Sequence, residues 1–283
     1  MKIEHIEDLN REELQIFTTV SEVNLLMYNE PAPGIFIAES PYVIMRAIEA
    51  GYIPFSMLVE EKRYEKDVPE ILKLLQTKYG ENITDDLTIY TANEDILKNL
   101  TGYALVRGLW AAFKRKKPES FSEFCKGKHR LAVLFDIVNP TNVGAIIRSA
   151  AALGIDGVIL THDSVNPLYR RASRVSMGCV FQIPWIMATK TESQGINLIK
   201  SLENEGFETA AMALRLDTVS VRDEKVKNAE KLAIVLGTEG FGLPKEIIES
   251  CTYSIKIPMY HGVDSLNVAA ASAISFWELA KPL

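Results

Sequence analysis

The chain has 283 residues, 47% of them apolar and 24% charged, a composition that suits about two globular domains and excludes a disordered, collagenous or coiled-coil protein. With 31 Lys plus Arg against 37 Asp plus Glu the formal charge is −6. That excludes a uniformly basic nucleic-acid coat but leaves room for a local basic patch, because a ligand meets one face at a time.

Residues 1–33 read as an N-terminal extension, helical over 8–17. From 34 to 113 strand-like and helix-like pieces alternate. Ser40-Pro41 opens a helix through Val43, Ile44, Ala47 and Ile48 that Gly51 stops. PFSMLVEE and LTIYTA read as strands, with a helix from Pro69 to Gly80 between them; EDILKNLTG is a short helix closed by Gly102, and LVRGLWAAF a further strand. Residues 114–129 form a basic linker: KRKKPESFSEFCKGKHR, which runs on to Arg130, holds seven bases against two acids and is broken by Pro118 and Gly127.

From 130 to 283 comes a second α/β domain. LAVLFDIV is the continuous apolar run of a parallel strand buried on both faces. A helix over 143–153, the strand GVILT, a helix over 170–177, a short strand near Ile183 and a helix over 195–205 follow. Then come the strands FETAAMAL and LAIVLG, a short helix after Pro244, the strand YSIKIP and a last helix over 266–279. This alternation predicts a mostly parallel sheet with helices on both faces.

The charged start MKIEHIEDLNREELQ lacks the apolar centre of a signal peptide, and no apolar run is long enough to span a bilayer. Cys125, Cys179 and Cys251 are scattered and the chain has four histidines, so neither a disulfide framework nor a metal site is expected. A cytoplasmic protein with reduced thiols is the expectation.

Three segments placed just after predicted strands, where α/β folds put their ligands, carry unusual polar residues. The first is NPTNVGAIIR, in which Asn142 reads as a helix cap, Gly144 permits close approach and Arg148 follows inside the helix. The second, LGTEGFGLP, has three glycines around the carboxylate of Glu239; its GxxGxG spacing is not the GxGxxG of a dinucleotide fold. The third, IPMYHGVDSLNV, runs into an alanine-rich helix, with Asp264 or Ser265 as a cap and Asn267 without a packing role. Taken singly, each has a plain structural reading.

Together the three segments resemble the signature motifs of the SpoU (TrmH-like) branch of the SPOUT RNA methyltransferases. N-x-G-x-x-x-R is met by Asn142, Gly144 and Arg148, and G-x-E-G-x-G by Gly237, Glu239, Gly240 and Gly242. I-P-M…S-L-N-V is met by Ile257, Pro258, Met259, Ser265, Leu266, Asn267 and Val268. A further family-like element, R-x-S-M-G, lies at Arg174, Ser176, Met177 and Gly178. More loosely, 34–113 is similar to the small L30e-like substrate-binding domain that often precedes this catalytic domain.

The resemblance implies a C-terminal trefoil knot, a homodimer through the knotted domain, and S-adenosylmethionine held at Leu214, Gly237, Ile257 and Leu266. The implied reaction is methyl transfer to a ribose 2′-hydroxyl of structured RNA, ribosomal before transfer RNA, with Arg148, Asn142, Glu239, Ser265 and Asn267 as catalytic residues. Arg170, Arg171 and Arg174 are candidate phosphate contacts beside that site. The alternatives are a non-catalytic RNA-binding or ribosome-assembly protein of the same fold and, more remotely, a nicotinamide-dependent enzyme.

Overall fold

The strand-like runs up to Lys114 pair into a five-stranded sheet, and those of the remainder into a second sheet of seven. The computed structural model describes residues 1–28, 33–101, 108–215, 218–238 and 240–280. They divide into two units: Met1–Lys117 with Leu168–Phe181, and Pro118–Pro167 with the chain from Gln182 onward.

The first unit contains β1 (Lys2–His5), α1 (Gln15–Thr18), α2 (Glu22–Leu26), β2 (Ile35–Glu39), α3 (Pro41–Glu49), β3 (Pro54–Glu60), α4 (Glu61–Tyr79), β4 (Thr88–Ala92), α5 (Glu94–Thr101) and β5 (Leu109–Lys114). The sheet order is β1-β4-β3-β5-β2; β1 and β3 run parallel to β4, whereas β5 is antiparallel to both β3 and β2. Residues 1–33 are thus no mere extension. β1 closes one edge of the sheet, and Leu14, Phe17 and Leu25 enter the same core as Ile37, Leu58 and Trp110. Four residues with exposed charges at a sheet edge give too short an alternation to be read as a strand. Of the helix expected over 8–17 only a 3-10 turn at Glu12–Leu14 and α1 form. α4 begins at Glu61, directly after β3, and carries Pro69 in its interior instead of at its start. Gly102 and residues 105–107 lie outside the described residues.

The second part of the chain supplies α6 (Phe121–Cys125), β6 (Arg130–Leu134), α7 (Pro140–Ala152), β7 (Gly157–Leu160), α8 (Arg170–Val175), β8 (Trp185–Met187), α9 (Asn197–Asn204), β9 (Glu208–Met212), β10 (Val219–Ser220), α10 (Glu224–Asn228), β11 (Leu232–Leu236), α11 (Lys245–Ser250), β12 (Tyr253–Lys256) and α12 (Val268–Leu279). Its seven strands lie in the order β10-β12-β9-β11-β6-β7-β8 and every pairing is parallel. β6, β7 and β11 are buried throughout, as continuous apolar runs demand. From β6 the chain builds outward through β7 and β8, then returns to the other side for β9 to β12. Such a reversal leaves a crevice at the carboxyl ends of the strands.

Two boundaries move from those read in the sequence. The linker is partly structural: Ser120 accepts from the Glu123 amide to start α6, which buries Phe124 and Cys125 against Leu131, Val133 and Ile159. Residues 168–181, expected in the second domain, belong to the first unit. There the Phe181 ring lies 5.6 Å from the rings of both Phe36 and Tyr52, and Arg46 Nη1 donates to the Met177 carbonyl at 2.7 Å. Among the described residues no helix is long and apolar enough to cross a membrane.

Candidate active site

β12, β9 and β11 are neighbours in the sheet, and residues just beyond their carboxyl ends line one cavity of about 530 Å³. Leu214, Gly237, Ile257 and Leu266, the four positions expected to hold a cofactor, all line it, together with Ser265 and Asn267. The glycine loop after β11 doubles back on itself: Gly242 N donates to the Thr238 carbonyl at 3.1 Å. A Cβ on Gly237 would stand 2.6 Å from both the Gly242 carbonyl carbon and Leu243 N, so no larger residue lets the loop close. Glu239 lies outside the described residues.

The asparagines take roles other than those expected. Asn139, not Asn142, caps α7 by accepting from Thr141 N at 2.9 Å. Asn142 is buried within the first turn of that helix. Asn267 is the cap of α12: its Oδ1 accepts from Ala269 N at 2.9 Å, and its Nδ2 donates to Asn142 Oδ1 at 3.4 Å. Packing of α12 on α7 therefore ties the first motif to the third at the cavity wall.

Residues 129–277 match the model of the SpoU rRNA methylase family. The chain belongs to this family. A Mycobacterium bovis protein named an uncharacterised tRNA/rRNA methyltransferase is 29% identical over 251 residues, 87% of this chain and 80% of that protein. A Staphylococcus aureus protein named as a TrmH family tRNA/rRNA methyltransferase is 28% identical, over 84% of this chain and 92% of its own length. In fold the chain is similar to an AdoMet-bound rRNA methyltransferase from Sinorhizobium meliloti, with a TM-score of 0.78 at 22% identity over 98% of this chain and 97% of that one.

Not every family motif residue reaches the cavity. Arg148 is exposed on α7 and makes no hydrogen bond or ion pair among the described residues. Six residues beyond Asn142, it is turned about 240° around the helix, away from the face that meets α12. Arg170 and Arg174 are engaged inside the first unit, Arg170 Nε at 2.6 Å from Glu22 Oε1 and Arg174 Nη1 at 3.2 Å from Glu39 Oε1; Arg171 is exposed.

Other residues at the site were not singled out in the sequence. Lys256 and Asp264 are the charged side chains lining the cavity among the described residues, and Thr238 and Phe241 line it too. Lys256 carries no motif as the last residue of β12, and Asp264 was read as a helix cap. Burial pushes the Cys125 and Cys251 thiols up to about 11, so neither is a thiolate nucleophile at neutral pH. Among the described residues no group of three or more His, Cys, Asp and Glu could hold a metal ion.

Proposed function

We propose that this SpoU-family protein transfers the methyl group of S-adenosylmethionine to a ribose 2′-hydroxyl of structured RNA, with ribosomal RNA as the first candidate. The observation that carries the reading is the convergence of Leu214, Gly237, Ile257, Leu266 and Asn267, from three parts of the chain, on one cavity. The choice of ribosomal RNA is supported by the family name, and the ribose assignment by a solved RNA 2′-O ribose methyltransferase of the same fold, at TM-score 0.73 and 21% identity.

The donor suits the residues present. The cavity has room for a nucleoside with a side chain; the loop at Gly237 offers main chain without side-chain cover; and one cation (Lys256) and one anion (Asp264) match a zwitterionic amino-acid end. When bound, S-adenosylmethionine supplies an electrophilic methyl group on a sulfonium. Backbone groups at Leu214, Gly237, Ile257 and Leu266 hold it in this reading. Asn267, fixed by Asn142 and the α12 amide, and the Ser265 hydroxyl present polar groups to the ribose.

Arg148 grips a phosphate and sets the hydroxyl in line, which is the entropic part of the catalysis. A guanidinium offers only donors and is not a base; a phosphate oxygen of the RNA takes the proton. Glu239 is assigned to the same catalytic set as Arg148. Because Arg148 is exposed and off the cavity lining, the reading includes a homodimer through a knotted second domain in which Arg148 serves the cavity of the partner subunit. An L30e-like role in RNA binding for the first unit, with Arg171 and Arg174 on phosphates, and a cytoplasmic location complete it.

The test is tritiated S-adenosylmethionine with ribosomal and transfer RNA from cells lacking the gene, followed by mapping of 2′-O-methyl sites. Methylation of one ribose is expected; no incorporation into either pool would refute the reading in favour of a non-catalytic RNA-binding protein. Arg148→Ala should bind the cofactor in calorimetry as the parent does while transfer falls about 100-fold. Undiminished transfer would remove Arg148 from the mechanism.

A further inference from the structure

Exposed rings stand on two of the loops that line the cavity. Phe241, in the glycine loop, lines the cavity yet is 100% exposed, and Tyr260, next to the lining residue Met259, is 82% exposed. The exposed His261 ring lies 6.5 Å from that of Tyr260 at an interplanar angle of 48°. Single exposed apolar side chains need no explanation, but these rings are grouped on two loops whose backbone is left-handed at several positions. Phe241 sits between Gly240 at φ +96° and Gly242 at φ +68°, each with no atom within 4 Å of where a Cβ would stand. His261 itself adopts φ 58° ahead of Gly262 at 71°, a left-handed pair that a histidine enters only at a steric cost.

We propose that Phe241, with Tyr260 and His261 beside the same opening, stacks on the base of the nucleotide whose ribose is methylated. The proposal rests on the methyl-transfer reading and adds what holds the target base. A ribose whose 2′-hydroxyl reaches into the cavity carries its base on the neighbouring carbon, so the base has to lie at the rim where these rings stand. A nucleotide taken out of its own stack recovers that loss on an aromatic face, whatever its hydrogen-bonding edge. The rings project from two thin loops and not from one continuous apolar face, which suits a small flat group better than a second protein surface. The glycines on either side of Phe241 let its ring settle on the plane it meets.

The experiment compares the parent with Phe241→Ala, Phe241→Leu and Phe241→Trp, using the unmethylated ribosomal RNA pool as acceptor. Calorimetry with S-adenosylmethionine and sedimentation in solution accompany the kinetics. Phe241→Ala and Phe241→Leu should both lose about tenfold in kcat/KM for RNA, chiefly through KM. Phe241→Trp should stay within about threefold of the parent, because it keeps a flat face. Cofactor affinity and solution mass should not change. Full activity in Phe241→Leu would overturn stacking, since leucine is apolar but has no face. Loss of cofactor affinity would make Phe241 a cover over the donor, and a change of mass would make it an interface residue; either replaces the proposal. A parent that methylates no RNA overturns the underlying reading and this one with it, a result distinct from an active parent indifferent to position 241.

Discussion

One added methyl group at Gly237 is enough to test the site. Its φ is ordinary, so the requirement is space and not backbone freedom: a Cβ would press on the Gly242 and Leu243 main chain at 2.6 Å, a distance that backbone atoms cannot accommodate without opening the loop. Gly237→Ala should therefore weaken S-adenosylmethionine binding at least about tenfold, as one misplaced main-chain contact can. The thermal midpoint should fall as well, because Leu243, whose main chain the added methyl meets, is packed in the core. Calorimetry and a melting curve separate the two effects; unchanged affinity would mean the loop does not touch the donor. At the same scale the sequence marked unusual residues without fixing the local role each takes. Asn142 and Asn267 were recognisable as unusual, but which of them caps a helix depended on where each helix begins, a matter of one turn that three-residue cap patterns do not resolve.

At the scale of elements, α12 is held at both ends. Asn267 caps its start, and at its finish Arg130, 2% exposed, donates from Nε to the Leu279 carbonyl at 2.8 Å. Nη1 of the same guanidinium reaches the His129 and Glu230 carbonyls, each at 3.0 Å, and Nη2 those of Ala229 at 2.8 Å and Lys227 at 3.2 Å. Burial holds this guanidinium below its usual pKa, opposed by the charge of Asp156. A planar fork with five donors meets five carbonyls from the residue before β6, the end of α10, the turn into β11 and α12, so it links the start of β6 to the end of α12. Arg130→Ala would strand buried acceptors, each costing about 1–3 kcal/mol. We expect a loss of about 3 kcal/mol or more and a thermal midpoint lower by about 6–12 °C. Arg130→Lys should rescue little, because one ammonium cannot span the five acceptors. A melting curve unchanged by either substitution would show the clamp to be idle. In the sequence Arg130 was one base among seven in a charged stretch, and nothing in the spacing marks which of them turns inward.

For the whole molecule, the net charge of −6 gives way to a distribution. Of the seven bases at 114–130, Lys116 donates to the Ala50 carbonyl at 2.6 Å, Lys128 to that of Phe124, and Arg130 is buried; Lys114, Lys117 and Lys126 remain exposed. RNA affinity should still fall at least about tenfold between roughly 50 and 200 mM salt, as two or more phosphate contacts require. A filter-binding titration that stayed flat would place recognition away from the phosphates.

Much of the fold was legible. Buried parallel strands announce themselves as apolar runs, as at 131–134 and 232–236, and the three polar motifs follow strands, as ligand loops do. The four-residue edge strand β1, the two-residue β10 and the passage of 168–181 into the first unit were not, because a short edge strand has too little pattern and a segment's neighbours are not encoded in its own periodicity.

By itself, then, the sequence determined the alternation of strands and helices, the polar loops and, through them, the family. Only the tertiary structure decided that β12, β9 and β11 stand side by side. Every buried parallel strand offers the same backbone ladder, so which strands become neighbours is settled by the packing of the helices that cross between them. That adjacency gathers Leu214, Gly237, Ile257 and Asn267 at one opening.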